Sequence, residues 1–311
     1  MRRAELLNAT EATLRNANFV VSVRCTSRPS CFDFASRRGN LTLFIKVSKN
    51  VGCIPADCIQ ELRRVAAHFS ASPLIVGFMG YRQRLEDDVV YTRHGVYAVS
   101  LKTLRDAVRY NVHPLIEAGP GGYYVRINGE ALRRRREELG LSIGRLAELL
   151  SLSRITIYSY ERGQAKASVS VAYKMNEVLK IPVALPINIF KGFKNVEFNY
   201  NDKAPLTSYI HRLIYKKLSQ FNFFVDLVRK APFDFIARFV EDDTKIVGGI
   251  VDDSENNLDR RVREILSLAE VVDASPLLIT NGKCSLDEDV PQIDHKTLKS
   301  LESREKLVDL L

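Results

Sequence analysis

The stretch LGLSIGRLAELLSLSRITIYSYERG, residues 139–163, decides how the chain is read. Ser142 stands immediately before one apolar-periodic run and Ser153 before another. A serine in that position offers its hydroxyl oxygen to the free N–H groups of a first helical turn. Leu146, Ala147 and Leu150 share one face of the first predicted helix. The second runs from Arg154 to Arg162, with Leu152, Ile157 and Tyr160 inward. Gly163 ends it, because glycine takes the left-handed conformation that closes a helix.

Outward from this pair, a helix is expected over about 129–139, with Leu132, Arg136 and Leu139 on its inner side. Ser168 caps a fourth helix over 169–179, striped by Val171, Met175 and Val178. Pro182 and Pro186 bracket an exit segment, and PINIFKGF (186–193) suggests a last short helical turn. Helix, four-residue turn, helix is the layout of a helix-turn-helix.

The ordered series Leu132-Arg133, Arg136, Gly140-Leu141-Ser142, Leu146-Ala147, Leu152-Ser153-Arg154, Thr156-Ile157 and Glu161-Arg162-Gly163 resembles the Cro/C1-type, or Xre, family of helix-turn-helix regulators. The resemblance covers roughly 126–185, and SRITIYSYERG is also similar to archaeal members with long flanking domains. It implies double-stranded DNA as partner, with the second helix of the motif in the major groove. Arg154 would take guanine by a bidentate bond and Ile155 would press a thymine methyl, while Ser159 meets a base edge or water. Tyr158 is a fourth outward position. Ser153 and Thr156 suit phosphate oxygens, and Arg145 and Arg162 suit phosphates at the motif's ends. Two departures stand out. Ile143 occupies the place where many members have glutamine, and Ile155 and Tyr158 replace polar readers, which points to modest specificity or to reading of DNA shape. Arg133–Arg136 reads either as a solvated face or as phosphate contacts, with Arg136 directed into the domain. An acid at Glu161 would be repelled by phosphate, so an inward bond to Arg136 or to backbone is expected.

Composition frames the rest. At 311 residues and 46% hydrophobic, the chain suits two or three domains with ordinary cores. No run approaches the roughly 18 apolar residues of a membrane helix, and MRRAELLNATEATLRN is too polar for a signal peptide, so a cytoplasmic protein is expected. Net charge is +9, carried as +7 in residues 1–120, +7 in 121–195 and −5 in 196–311. The first two regions suit a polyanion, and the acidic last region suits a protein interface. Cys25, Cys31, Cys53, Cys58 and Cys284 contain no CxxC pair. Buried, unliganded thiols are expected ahead of a loose zinc site built from the first four. The five histidines show no metal spacing.

Residues 1–118 read as an α/β domain. A helix (3–16) is followed by the runs FVVSVRC (19–25), CFDFAS (31–36) and LTLFIKV (41–47), a helix over about 55–70, strands PLIVGFMG (73–80) and GVYAVS (95–100), and a helix over 101–110. EAGPGG (117–122) reads as a linker, and YYVRI (123–127) as a short strand or arm into the helical domain, 123–192. Residues 204–311 repeat the first domain. LRNANF (14–19) recurs as LSQFNF (218–223), CFDFA (31–35) as PFDFIA (232–237), ASPLIV (71–76) as ASPLLI (274–279) and LKTL (101–104) as HKTL (295–298). The stripe Leu62, Val65, Ala66, Phe69 maps onto Ile265, Leu268, Ala269, Val272. The predicted fold is therefore two α/β copies flanking a central all-α helix-turn-helix domain.

The order of the flanking elements resembles the restriction-endonuclease-like, or PD-(D/E)XK, fold. That chemistry implies Asp on one strand and Glu-x-Lys on the next, holding Mg²⁺ and activating water. Asp33 and Lys46 fit, but Phe44 stands two residues before the lysine. Asp234 fits in the second copy, while the lysine position falls near Gly248 or Gly249. One acid without its partner holds Mg²⁺ poorly. No catalytic, cofactor or metal residues are therefore assigned, and Asp33 and Asp234 are expected to cap a helix or bond a neighbouring strand. The leading expectation is a sequence-specific transcription regulator, a homodimer whose flanking domains serve dimerisation or a small-molecule or protein effector. The alternative is a Mg²⁺-dependent nuclease targeted by the helix-turn-helix.

Overall fold

The computed structural model describes residues 2–80, 83–191, 208–239, 241, 244–251, 255, 257–280 and 290–310. In chain order these form α1 (Arg3–Arg15), β1 (Val20–Val21), β2 (Phe34–Arg38), β3 (Leu41–Asn50), α2 (Ala56–His68), β4 (Ser72–Met79), β5 (Val89–Arg93), β6 (Val96–Val99) and α3 (Leu101–Tyr110). Next come β7 (Ile116–Gly119), β8 (Gly122–Arg126), α4 (Gly129–Glu138), α5 (Ile143–Leu150), α6 (Arg154–Glu161), β9 (Lys166–Ser168) and α7 (Val169–Leu179). The last are α8 (Tyr209–Gln220), β10 (Phe224–Leu227), β11 (Phe235–Arg238), β12 (Lys245–Val251), α9 (Leu258–Val272), β13 (Ser275–Thr280), β14 (Gln292–Asp294), α10 (His295–Ser300) and α11 (Arg304–Val308). None of the described helices is long and apolar enough to cross a membrane.

Two compact units contain these elements. One comprises residues 1–2, 49–52 and 76–189, the other 3–48, 53–75 and 190–311. In the second unit, β1, β2, β3 and β4 lie side by side in that order, and β10 to β14 form a five-stranded sheet in sequence order. β2 and β3 run antiparallel with Phe34 opposite Ile45, and β11 and β12 run antiparallel with Phe235 opposite Gly248. Gly248 has no freedom to be larger, since any Cβ there would overlap the Phe235 ring. The stripes on α2 and α9 are the core faces. Leu62, Val65, Ala66, Ile265 and Leu268 are wholly buried, each large side chain contributing about 1.5–3 kcal/mol of burial. Both helices end in a left-handed residue, Ser70 after α2 and Asp273 as the cap of α9.

The first unit holds β6, β5, β7, β8 and β9 in that order, together with the helices α4 to α7. Here the expected linker is corrected. EAGPGG is a hairpin: β7 pairs with β8 from Ile116 opposite Val125 to Gly119 opposite Gly122. Gly121 and Gly122 supply the positive φ angles, +80° and +153°, that the tight reversal needs. FVVSVRC is also shorter as a strand than expected, with Val20 and Val21 in register with β2 and the Ser22 N–H reaching the Ala35 carbonyl at 2.9 Å. β5 and β7 were not anticipated. The segment before Lys191 turns without a helix, and residues 192–193 of the expected last turn lie outside the described residues.

Candidate nucleic-acid interface

Each helix of the motif begins on a side-chain cap. Ser142 accepts the Arg145 N–H at 3.0 Å and Ser153 accepts the Thr156 N–H at 3.1 Å. Asn128 and Ser168 do the same for α4 and α7. Behind the caps, Leu132, Leu146, Ala147, Leu150, Ile157, Tyr160, Met175 and Leu179 close a core with Val125 and Ile127 from the β8 strand and its end. α6 stops as expected: Gly163 takes φ +67°, and the Gln164 N–H reaches the Ser159 carbonyl at 2.9 Å. The start of α4 runs so close to the end of α6 that a side chain at Gly129 would strike the Glu161 backbone.

The inward bond expected of Glu161 is present. Arg136 Nε donates to Glu161 Oε1 at 2.6 Å and Arg136 Nη2 to Oε2 at 3.2 Å. Both side chains are buried, and the hydrogen bond from the guanidinium to Glu161 raises the Arg136 pKa further above its already high value. The rest of the arginine run lies on the helix surface, where Arg133 pairs with Glu137 and Arg135 with Glu138. Leu139, expected to point inward, is 42% exposed, because the helix ends at Glu138 and the chain turns away through Gly140.

Of the eight predicted contact residues, Ser153, Arg154, Ile155 and Tyr158 form the exposed face of α6, and Thr156 and Ser159 are half-buried. Ile155 is 77% exposed, an arrangement water does not favour and an apolar partner such as a thymine methyl would. Arg162 lies over the Tyr158 ring at 4.5 Å. Ser153 and Thr156 share a hydroxyl hydrogen bond of 2.8 Å. Arg145 pairs with Glu148 at 3.0 Å on α5. Arg154 has a partner that sequence reasoning missed. Its guanidinium folds over Gly144, where an added Cβ would lie 3.0 Å from Nε. The only signal was a glycine inside a short helix, where it costs about 1 kcal/mol relative to alanine.

The second unit contains the two aspartates of the nuclease-like layout. The Asp33 N–H reaches the Ile45 carbonyl at 2.7 Å and Asp33 Oδ2 accepts the Val47 N–H at 2.6 Å. The Asp234 N–H reaches the Gly248 carbonyl at 2.8 Å and Asp234 Oδ2 accepts the Ile250 N–H at 2.6 Å. Each aspartate thus bonds the backbone of the next strand, one of the two structural roles expected of it. Lys46 lies 3.6 Å from Asp33, and Arg3 donates to Asp33 at 2.5 Å. On β12, Gly249 follows Gly248, the residue opposite Phe235, as Lys46 follows Ile45, the residue opposite Phe34, on β3. The cation on Asp234 is instead Arg261 from α9, which is wholly buried, joined by Arg28 at 2.7 Å. Among the described residues no cluster of three or more metal-ligating side chains converges. Cys25, Cys31, Cys53 and Cys58 are free thiols. Burial raises the pKa of Cys25 and Cys31, whereas Cys53 is exposed rather than buried as expected. Cys284 lies outside the described residues.

Residues 132–185 match the helix-turn-helix family model, and residues 3–114 match that of the PD-(D/E)XK superfamily domain. Three archaeal relatives share the name "Putative HTH-type transcriptional regulatory protein". That of Thermococcus kodakarensis is 35% identical over 312 residues, covering 100% of this chain and 96% of its own. That of Methanocella arvoryzae is 35% identical over 317 residues (100% and 96%), and that of Pyrococcus horikoshii 32% over 313 residues (100% and 98%). The chain belongs to this family of archaeal HTH-type transcriptional regulators. No solved structure matches it. The regulator is a DNA-binding protein that combines a Cro/C1-type helix-turn-helix with a PD-(D/E)XK domain, the latter built on mixed α/β sheet.

Proposed function

We propose that this regulator reads its operator with α6 in the major groove. The observation that carries the reading is the exposed face of that helix. Ile155 and Tyr158 stand in solvent on a helix whose other side is core, with Ser153 and Arg154 exposed beside them in the chain and Arg162 over the Tyr158 ring. Ile155 and Tyr158 contact bases, Ser159 reaches a base edge through water, and Ser153, Thr156, Arg145 and Arg162 position the domain on phosphates. The chain acts in the cytoplasm as a homodimer on a two-fold site, one half-site per helix-turn-helix.

Residues 1–118 and 204–311 are two copies of one domain flanking the DNA reader at 123–192. The left-handed residues Asn18 and Asn222, the buried stripes of α2 and α9, and the matching bonds of Asp33 and Asp234 support this reading. Neither copy is a nuclease. Both oxygens of Asp33 are engaged by Arg3 and the Val47 N–H, Phe44 is wholly buried where the second acid belongs, and Asp234 is held by two arginines.

The test is selection of genomic fragments by the purified full-length chain at about 0.2 M salt, where nonspecific phosphate binding is weak, with Mg²⁺ present. Intact fragments sharing a two-fold site are expected. New ends at fixed positions would convert the regulator into a nuclease, and a site without two-fold symmetry would remove the homodimer.

A further inference from the structure

A cavity of about 440 Å³ lies next to the cationic partners of Asp33, its lining including Arg3, Ser30, Lys46, Cys53, Cys58 and Lys230. We propose that this cavity is the regulator's effector site and binds a small molecule through one anionic group, a phosphate or its equivalent; that the anion joins two copies of one domain rests on the two-copy reading above.

The charges favour an anion over a cation. Three basic side chains converge from α1, β3 and the loop between β10 and β11, against Asp33 and Asp57. Each oxygen of Asp33 already has a donor, Arg3 on Oδ1 and the Val47 N–H on Oδ2. Lys46 donates to the Ser30 carbonyl at 2.7 Å, which engages one of the three protons of an ammonium. Its side chain is only 17% exposed, and a charge so placed attracts an anion more strongly than one in bulk water. The cavity is larger than a bare phosphate requires and most of its wall is apolar, as in sites for small organic ligands.

The second copy is the internal control. Gly249 replaces Lys46 there, and Arg261 stands where the first copy has Cys58, 203 positions earlier. Arg261 donates to the Pro232 and Ile250 carbonyls, Asp234 and Glu255, and none of its surface reaches solvent. At that position the second copy thus carries a buried cation of its own. The first copy keeps the smaller Cys58 and leaves room for a ligand from outside. Lys230 comes from the second copy, so an anion in the cavity would touch both copies and favour their association. That is the differential contact an effector needs in order to shift an equilibrium.

Cys53 reports on the cavity because it lines it and is exposed. Its alkylation rate in the full-length protein is read by peptide mass spectrometry, with about 10 mM inorganic phosphate against chloride of equal ionic strength, an excess over the low-millimolar Kd expected of so small a probe. Phosphate should slow Cys53 alkylation about threefold or more. Lys46→Met and Lys230→Met should each weaken the protection, and Arg154→Ala on the DNA reader should retain it. Absent protection, or equal protection in Lys46→Met, overturns the site. Protection by a 20-base-pair duplex but not by phosphate would assign the cavity to a strand phosphate and overturn a free effector. Loss of the Lys230→Met effect alone, with that of Lys46→Met intact, would overturn an anion that joins the two copies while leaving the anion on Lys46.

Discussion

Glu61 and Glu264 make the same clamp in opposite directions. Glu61 accepts the backbone N–H groups of Arg229 and Lys230 at 2.6 and 3.2 Å. Glu264 accepts those of Thr26 and Ser27 at 2.7 and 2.9 Å, and both of their hydroxyls as well. Both carboxylates and both pairs of donors are 203 positions apart. Phe32 and Phe233 approach each other with ring centroids 6.4 Å apart. The first and last parts of the chain therefore hold each other by reciprocal contacts within one compact unit. Glu264→Ala leaves the Thr26 and Ser27 N–H groups, which are only partly buried, without this acceptor, and a loss of about 1–3 kcal/mol is expected in urea unfolding. Glu61→Ala should lose a similar amount. A change below about 0.5 kcal/mol in both would mean that the clamps do not hold the fold.

Arg261 and Gly249 should behave as one exchanged pair. Arg261→Met strands Asp234 and Glu255 with a single arginine, Arg28, and should destabilise by about 3–5 kcal/mol. A Cβ at Gly249 would lie 2.8 Å from Ile265 Cδ1 and 3.8 Å from Arg261 Nη2, so Gly249→Lys alone is also unfavourable. The double variant Arg261→Cys with Gly249→Lys recreates the pattern of Cys58 and Lys46. It should recover at least half of the Arg261→Cys loss in the same unfolding assay. Strict additivity of the two single changes would refute the exchange.

Removing one side of the Arg136–Glu161 pair should unfold the DNA reader first. Arg136→Met leaves a carboxylate buried between α4 and α6 and should cost about 3–5 kcal/mol. Amide exchange of α4 to α6 is the measurement. Accelerated exchange there, with α9 unchanged, is expected.

Arg154 and Ile155 separate positioning from reading. Arg154 rests over Gly144, between the capped starts of α5 and α6. If it contacts phosphate, Arg154→Ala weakens all sequences alike and lowers the salt slope by about 1. If it takes guanine, the loss of about 1–3 kcal/mol appears at one base pair. Ile155→Ala should leave stability within about 0.5 kcal/mol, since the side chain is exposed. It should reduce discrimination for thymine over uracil at one position, measured by competition binding.

Glu117 gives the hairpin an acid limit. Burial pushes its carboxyl pKa up, but hydrogen bonds from Lys166 and Arg126 more than offset this and hold it below the ordinary value. A carboxyl depressed in the folded state contributes stability above its unfolded pKa, about 4.3, and loses it as pH falls through the folded value. Glu117→Gln should therefore show a shallower loss of stability between about pH 5 and pH 3 than the parent chain. Identical acid limbs would show that the pair is fully screened.

Much of the helix-turn-helix was legible in the chain alone. Ser142, Ser153, Ser168 and Gly163 act through bonds to residues two to four positions away, so their neighbours in sequence are also their partners in space. The inner faces of α5, α6 and α7 follow from helical spacing in the same way. Leu139 was misread because periodicity does not mark where a helix ends, and the EAGPGG hairpin because glycine and proline mark a reversal and a linker alike.

Three serine-capped helices, the stripes of α2 and α9, and the collinear recurrence of the sequence around Asp33 and Asp234 could be read from the chain alone, because each rests on short-range spacing or on order along the chain. Which cation meets each aspartate depends on contacts made across the fold. Lys46 lies on the strand beside Asp33, whereas Arg261 reaches Asp234 from a helix 27 positions away. The tertiary structure also decided that Arg154 covers Gly144 and that Glu61 and Glu264 clamp backbone more than 160 residues distant. An ion pair or a buried carboxylate requires only a partner of the right chemistry within reach, and folding alone sets which residue that is.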